Sequence, residues 1–395
     1  MPKEFCMVGV QNIYDIMDDK IGIFSFFAGA GFLDLGFEYT KKYDILFVNE
    51  IHRPFMNIYQ YSRERMGIDE PRYGSSISDV TSFLEKENLA KLCEKVKDAQ
   101  RDYRLVGFIG GPPCPDFSVG GKNKGKKGEN GKLSGTYTNL ICKIKPDFFL
   151  FENVKGLYRT KKHREFFETL KKRFIKAGYL LSEKLINAIE YGVPQDRERI
   201  ILVGFHKNIL HKKRGGYLDC FDWNLHRLYD TDSVFNKNWP KTTEFSESKK
   251  MNPPKGIIPE LTVEYWFKKN NVDNHYNKNR YFIPRQGLQR FKEIFEGDDK
   301  KKSFKRLHRW RYSPTAAYGN NEVHLHPYKA RRLSASEALA IQSLPKEYVV
   351  PNNITLSDTF KAIGNGVPFL AAKGLALSIY EYINKIMDNG KINSK

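Results

Sequence analysis

Short apolar runs punctuate the first half of the chain, each closed by glycine, proline or a polar residue. Ile21–Phe27 (IGIFSFF) stops at Gly29 and Gly31, and a helical pattern with Leu33, Leu35 and Phe37 follows. Further runs of strand length lie at Asp44–Asn49 (DILFVN), Leu105–Ile109 (LVGFI) and Asp147–Phe151 (DFFLF). Glu183–Ile189 (EKLINAI) and Arg199–Gly204 (RIILVG) complete the series. Charged amphipathic stretches such as His163–Ala177 separate these runs and predict covering helices. The alternation predicts an α/β fold built on a doubly wound, mostly parallel sheet.

The rhythm breaks after about His206. Until roughly Asn320 the chain is irregular and rich in Asn, Lys, Tyr and Trp, and no βαβ unit is discernible. Helical patterning resumes at Ser334–Ser343, where Ser334 and Glu337 have capping-box spacing, and again at Leu370–Ile386. The expected plan is a cofactor-binding catalytic domain over residues 1–205 and a second, smaller, irregular basic domain over 206–325. Residues 326–395 then return to the first domain.

Charge sharpens this plan. With 66 Lys+Arg against 46 Asp+Glu the net charge is +20, which favours a polyanionic partner, nucleic acid ahead of a membrane surface. Residues 206–330 hold 25 basic and 14 acidic side chains, a net of +11. Even spreading would give about +6, so the second domain is modestly enriched. A hydrophobic share of 40% excludes a disordered chain. No apolar run approaching the ~18–20 residues of a membrane helix is expected, and no export signal, so the expected location is cytoplasmic. The five cysteines form no C-x-x-C pair, which argues against a zinc site or a disulfide framework.

Candidate chemistry gathers at the ends of the apolar runs. Gly29 and Gly31 make a turn that backbone and ligand can approach closely, and Glu50 ends the next strand, placed to accept from a ribose diol. Asp79, where a third strand is expected to end, is placed to accept from an adenine amino group. There is neither a third glycine at G-x-G-x-x-G spacing nor a P-loop lysine, so an adenosine-type cofactor is favoured over a nicotinamide dinucleotide or nucleoside triphosphate. Cys114, in GGPPCPDFS, is held among Pro112, Pro113 and Pro115 at a strand end, the position of a nucleophile. Glu152, in FENV, is either a helix cap or an acid beside that thiol. In YGVPQDRER the residues Gln195, Arg197 and Arg199 alternate towards one face, either a solvated edge or a group that orients the carboxylate and binds a carbonyl oxygen or phosphate.

The ordered set FAGAGFLDLGFE, VNEI, SDV, GGPPCPDFS, FENVKGL, YGVPQDRERIILVG, RRLSASEALAIQSLP and IGNGVPFLAAKGLA resembles the DNA cytosine methyltransferases that act at carbon 5. The resemblance runs from about residue 21 to 385, apart from the stretch near 206–320. It implies a Rossmann-like fold and an S-adenosyl-L-methionine pocket lined by Phe27, Gly29, Gly31, Val80 and Pro113. Glu50 would take the ribose, Ile51 the adenine face and Asp79 its amino group, with Asn365 and Val367 at the methionine end. The resemblance makes Cys114 the nucleophile, sets Glu152 on ring nitrogen 3 and Arg199 on the cytosine carbonyl, and has Arg197 and Gln195 support the site. No metal is implied. The partner would be double-stranded DNA, from which one cytosine is flipped, with 206–325 as the target-recognition domain. Arg280, Arg285, Arg309 and Arg311 are candidate readers there.

The same likeness implies a monomer in a bacterial restriction-modification system, with a cognate restriction endonuclease as functional partner. Pro115 stands where the family commonly has Gln, and Ser78 where Gly is frequent. Ala30 and Phe32 alter the cofactor loop, and Thr136–Ile141 matches its block only loosely. Three readings compete with this one: a transfer-RNA methyltransferase of the same family, a DNA-binding protein with a dead catalytic domain, and a nicotinamide-dependent oxidoreductase.

Overall fold

The computed structural model describes residues 20–113, 129–210, 216–218, 221–247, 250–284, 287–300, 303–316, 318 and 323–392. Strands β1 (Ile21–Phe26), β2 (Tyr43–Asn49), β3 (Ser75–Ser76), β4 (Leu105–Gly110), β5 (Phe148–Val154), β6 (Tyr179–Asn187) and β7 (Glu198–His206) form one sheet. Its order is β3-β2-β1-β4-β5-β7-β6. The pairs among β1 to β5 are parallel, whereas β7 enters antiparallel between β5 and β6. Strand order reverses between β1 and β4, which opens a crevice at the carboxyl ends of those strands.

Both sheet faces are buried, which is why the strands read as continuous apolar runs. In β1, Ile21 and Ile23 face one core, while Phe24 and Phe26 face the other. The main helices, besides single turns at Gly156–Arg159 and Thr231–Phe235, are α1 (Phe32–Glu38), α2 (Arg53–Arg65), α3 (Lys86–Asp102), α4 (Glu129–Ile144) and α5 (Lys161–Ala177). The later ones are α6 (Val263–Lys269), α7 (Leu288–Glu293), α8 (Ala335–Ile341), α9 (Leu356–Asn365) and α10 (Phe369–Ile392). The aromatic face packs on α3, α4 and α5 through Leu92, Val96, Tyr137, Ile141, Phe167 and Phe174. The aliphatic face is covered by α10 through Leu375, Ile379 and Ile383.

Three expectations are corrected. The stretch Leu356–Met387 is long and apolar enough to cross a membrane, contrary to the sequence reading, but 72% of its most apolar window is buried, as in a core helix. The fifth strand runs over Tyr179–Asn187 rather than 183–189. Asn187 ends it by capping a short 3₁₀ turn, Ala188–Tyr191, in a capping box with Glu190. The third strand is only two residues long, and Asp79 lies beyond it as the cap of another 3₁₀ turn, accepting from Thr81 N at 2.8 Å. The capping box between Ser334 and Glu337 forms at the start of α8.

A third core joins segments remote in sequence. Ala30, Phe32, Phe55 and Ile58 pack with Val263, Trp266 and Phe267 of α6, with Leu307, Ala316 and Tyr318, and with α8 and α9. The irregular region is therefore fastened to the sheet-bearing half by a shared core, and the C-terminal helices lie on both.

Under the α1 turn sits a buried charge network. Ser25 Oγ donates to Asp34 Oδ1 at 2.7 Å, and Arg63 pairs with Glu38 while its guanidinium stacks 4.4 Å from the Tyr59 ring. Burial pushes the Glu38 carboxyl up to about 7 against the pull of Arg63. A folded-state value above the ordinary 4.5 means the protonated form favours folding, and that contribution disappears as pH rises through about 7. Thermal melts of Glu38→Gln should therefore lose less Tm than wild type between pH 5 and 7.5. A fall as steep as that of wild type would refute this assignment.

Candidate active site

The chain leaves β1 in a turn that needs unusual backbone. Phe27, Gly29 and Gly31 have φ of 55°, 58° and 81°. At Gly31 a Cβ would also come within 2.5 Å of the Tyr59 ring, so glycine is required there twice over. Glu50, just past β2, is buried and closes this turn. Its Oε2 accepts from Gly29 N at 2.9 Å and its Oε1 from His52 N at 2.8 Å. Burial raises its pKa, and these two amides oppose the rise. Each oxygen keeps a lone pair, so the carboxylate is fixed and still able to accept from a diol.

The other cofactor candidates lie at or just after the ends of β1, β2, β3, β4 and α9. Ile51 stands 59% exposed, an apolar side chain with nothing packed over most of it. Asp79 is exposed and Val80 buried, on a segment tied to β2 by Asn49, whose Nδ2 donates to Ser78 O at 2.9 Å. Phe27 meets the Tyr137 ring edge-on at 5.7 Å. Pro113 is exposed at the end of the glycine–proline turn. Asn365, exposed, ends α9, and the buried Val367 follows it. Asp358 of α9 lies 3.9 Å from His52 Nε2, two residues past Glu50, so α9 runs close to this turn.

The second half of the site lies at the end of β5. Glu152 is 9% exposed, and its Oε1 accepts from Arg199 Nε at 2.9 Å. In the ladder Glu152 faces Ile201 and Val154 faces Arg199, so the acid and the arginine are diagonal neighbours on one sheet face. Burial pushes the Glu152 carboxyl above its usual range, while Arg199 and more weakly Arg197 oppose this; burial also lowers both arginines. Such an acid readily keeps or lends a proton. Gly111 makes this possible, because a Cβ there would stand 2.6 Å from Glu152 Oε2. Asn153, a residue whose role sequence reading missed, donates to Pro112 O at 3.3 Å and anchors the turn that leads to Cys114. Cys114 itself lies outside the described residues.

Gln195 and Arg197 are buried rather than on a solvated edge. Arg197 donates to the carbonyls of Ala316, Gly364 and Gly366 at 3.1, 2.9 and 3.1 Å. Gln195 pairs with Gln342 at 3.0 Å. Gln342 also escaped sequence reading, since a lone glutamine at a helix end has no local signal.

The candidate base readers fare differently. Arg309 is buried against Glu296 at 2.8 Å, and Arg311 pairs with Asp299 at 2.6 Å. Arg280 donates to the carbonyls of Asn352 and Ile354 and to Thr359. These three guanidinium groups are engaged within the protein, which leaves fewer of their donors for base edges. Arg285 lies outside the described residues. Among the described residues no group of three His, Cys, Asp or Glu is placed to hold a metal.

Comparison with known proteins matches this arrangement to one family. The profile of the C-5 cytosine-specific DNA methylases matches residues 21–381. The type II methyltransferase M.NmeDI of Neisseria meningitidis serogroup C is 59% identical over 375 residues, 94% of this chain and 86% of that protein. The type II methyltransferase M.MthTI of Methanothermobacter thermautotrophicus is 28% identical over 383 residues, 93% of this chain and all of the other. A prophage-encoded E. coli DNA modification methyltransferase superposes with a TM-score of 0.62 at 21% identity, covering 92% of this chain and 100% of that one, which supports the fold. The chain belongs to the C-5 cytosine-specific DNA methylase family and is a type II DNA (cytosine-5)-methyltransferase of a restriction-modification system.

Proposed function

We propose that this methyltransferase uses S-adenosyl-L-methionine and acts through a covalent Cys114 adduct on a cytosine turned out of duplex DNA. The observation that carries this reading is the buried Glu152–Arg199 pair at the turn leading to Cys114. A fixed carboxylate at Glu50, the open Gly29–Gly31 turn and the exposed Ile51 suit an adenosine group. The cofactor, when bound, supplies an electrophilic methyl group. Glu50 would hold the ribose, Asp79 the adenine amino group, and Asn365 and Val367 the amino-acid end, with Phe27, Gly31, Val80 and Pro113 as walls.

Carbon 5 of cytosine is a weak nucleophile. Addition of the Cys114 thiolate to carbon 6, with a proton from Glu152 placed on nitrogen 3, turns the ring into an enamine whose carbon 5 can take the methyl group. A base then removes the carbon 5 proton, the sulfur–carbon 6 bond breaks, and the nitrogen 3 proton returns to Glu152. Arg199 would hold the carbonyl oxygen and keep Glu152 aimed. The target atom is inaccessible in a stacked duplex, so the base must leave the helix. Residues 206–325 would read the sequence, with exposed Lys and Arg of both halves on phosphate. A restriction endonuclease of the same specificity would be the functional partner.

Labelled S-adenosylmethionine incubated with duplex DNA or with transfer RNA tests the substrate, and mapping 5-methylcytosine in an expressing host identifies the site. Label should enter DNA only; transfer to RNA alone would refute the reading. Cys114→Ala should form no denaturation-resistant complex with a 5-fluorocytosine duplex, and survival of that adduct would exclude Cys114 as nucleophile. Glu152→Gln should lower kcat by roughly 10²–10⁴-fold. Because Arg199 lowers the Glu152 pKa, Arg199→Met should move the alkaline limb of the kcat–pH profile to higher pH. An unmoved limb would separate that limb from Glu152.

A further inference from the structure

Arg197 is among the largest fully buried side chains, yet its guanidinium donates to three backbone carbonyls rather than to a carboxylate. Burying a guanidinium without a carboxylate partner is costly, and packing alone is better served by an apolar residue. What the charge holds is therefore informative. Two of its three acceptors, the carbonyls of Gly364 and Gly366, bracket Asn365, which the proposed function assigns to the amino-acid end of the cofactor. The third, Ala316 O, belongs to the segment that joins the irregular region to the catalytic half.

The same stretch is gripped a second time. Gln342 Nε2 donates to the carbonyls of Ile363 and Gly366, and Gln342 Oε1 accepts from Gln195 Nε2 at 3.0 Å. Gln195 Oε1 accepts from Ala316 N at 3.0 Å. Gly366 also lies against the Phe32 ring at the start of α1, beside the cofactor turn. The root of Arg197 is rigid: its N donates to Asn187 Oδ1 at 3.0 Å, and its carbonyl accepts from Ala188 N at 2.9 Å. Two residues further on, Arg199 holds Glu152. A displacement of the 363–366 backbone thus reaches the start of β7 through hydrogen bonds and the buried Arg197 side chain.

We propose that Arg197 is a positioning residue that couples the two half-sites, so that cofactor engagement at Asn365 and base engagement at Glu152 and Arg199 favour one another. This rests on the proposed assignment of those half-sites. Linkage makes the effect reciprocal: whatever factor the cofactor adds to DNA affinity, DNA adds to cofactor affinity. The guanidinium suits the task because its planar fork spans two carbonyls on one nitrogen and a third on the other. A lysine ammonium is a single point charge and cannot hold all three in that geometry.

The test measures dissociation constants of the full-length protein for a duplex carrying its mapped site, with and without saturating S-adenosylhomocysteine. Wild type should bind the duplex about fivefold or more tightly with the cofactor product present. In Arg197→Lys that ratio should fall below about twofold. A merely structural role would weaken both constants together and leave their ratio unchanged. An unchanged ratio in Arg197→Lys, or a wild-type ratio near one, overturns the proposal. Should Arg197→Lys fail to fold by circular dichroism, Gln342→Met decides in its place, since it frees the Gly366 carbonyl that both residues hold and should lower the ratio likewise. If wild type binds no S-adenosylhomocysteine by calorimetry, the cofactor assignment falls and the coupling with it. Binding of both ligands with an unaltered variant ratio removes the coupling alone.

Discussion

A carboxyl group held out of water beside one guanidinium organises the rest of this molecule. Glu152 sits where the apolar face of β5 ends, and an unpaired carboxylate there would cost several kcal/mol. Pairing it requires an arginine on the same sheet face at the same height, and only the antiparallel entry of β7 beside β5 supplies one, through the diagonal of Glu152 and Arg199. Gly111 then has to lack a side chain, and Asn153 has to hold the Pro112 carbonyl, because the turn packs directly over the acid. Burial outweighs pairing in setting the proton affinity of Glu152, so its carboxyl holds a proton more tightly than an exposed one does.

The cofactor side obeys a different constraint. Its turn is built from positive-φ residues and closed by a carboxylate that accepts backbone amides, so its shape depends on Glu50 as much as on the glycines. The candidates for its far end, Asn365 and Val367, come from α9 and the segment after it, more than 300 positions further along the chain. A shared core of Phe32, Tyr318, Leu339 and Phe360 brings them there. The catalytic half is incomplete without the end of the chain, and the irregular region lies between the two.

The net charge of +20 takes on a more exact meaning in this frame. Arginines of the irregular region were the natural suspects for DNA contact, yet Arg280, Arg309 and Arg311 cap carbonyls or pair with acids inside the fold. Guanidinium groups satisfy several backbone carbonyls at once, which a region poor in regular hydrogen bonding needs. Charge counted along a sequence does not separate such structural arginines from those left for phosphate.

The sequence by itself determined the alternation of strands and helices, the strand-end positions of Glu50 and Glu152, and the capping box at Ser334. Each follows from periodicity or from turn chemistry between near neighbours. Strand limits were less legible where a side chain ended the strand, as Asn187 does, because a polar residue in a run has no sign of its cap until the backbone turns. Tertiary structure alone decided that β7 lies antiparallel between β5 and β6, and that Arg197 turns to the carbonyls around Asn365. It alone joined Gln195 to Gln342 across 147 positions. Such contacts depend on which buried polar groups are left needing a partner once the cores have closed, and that need is created by packing.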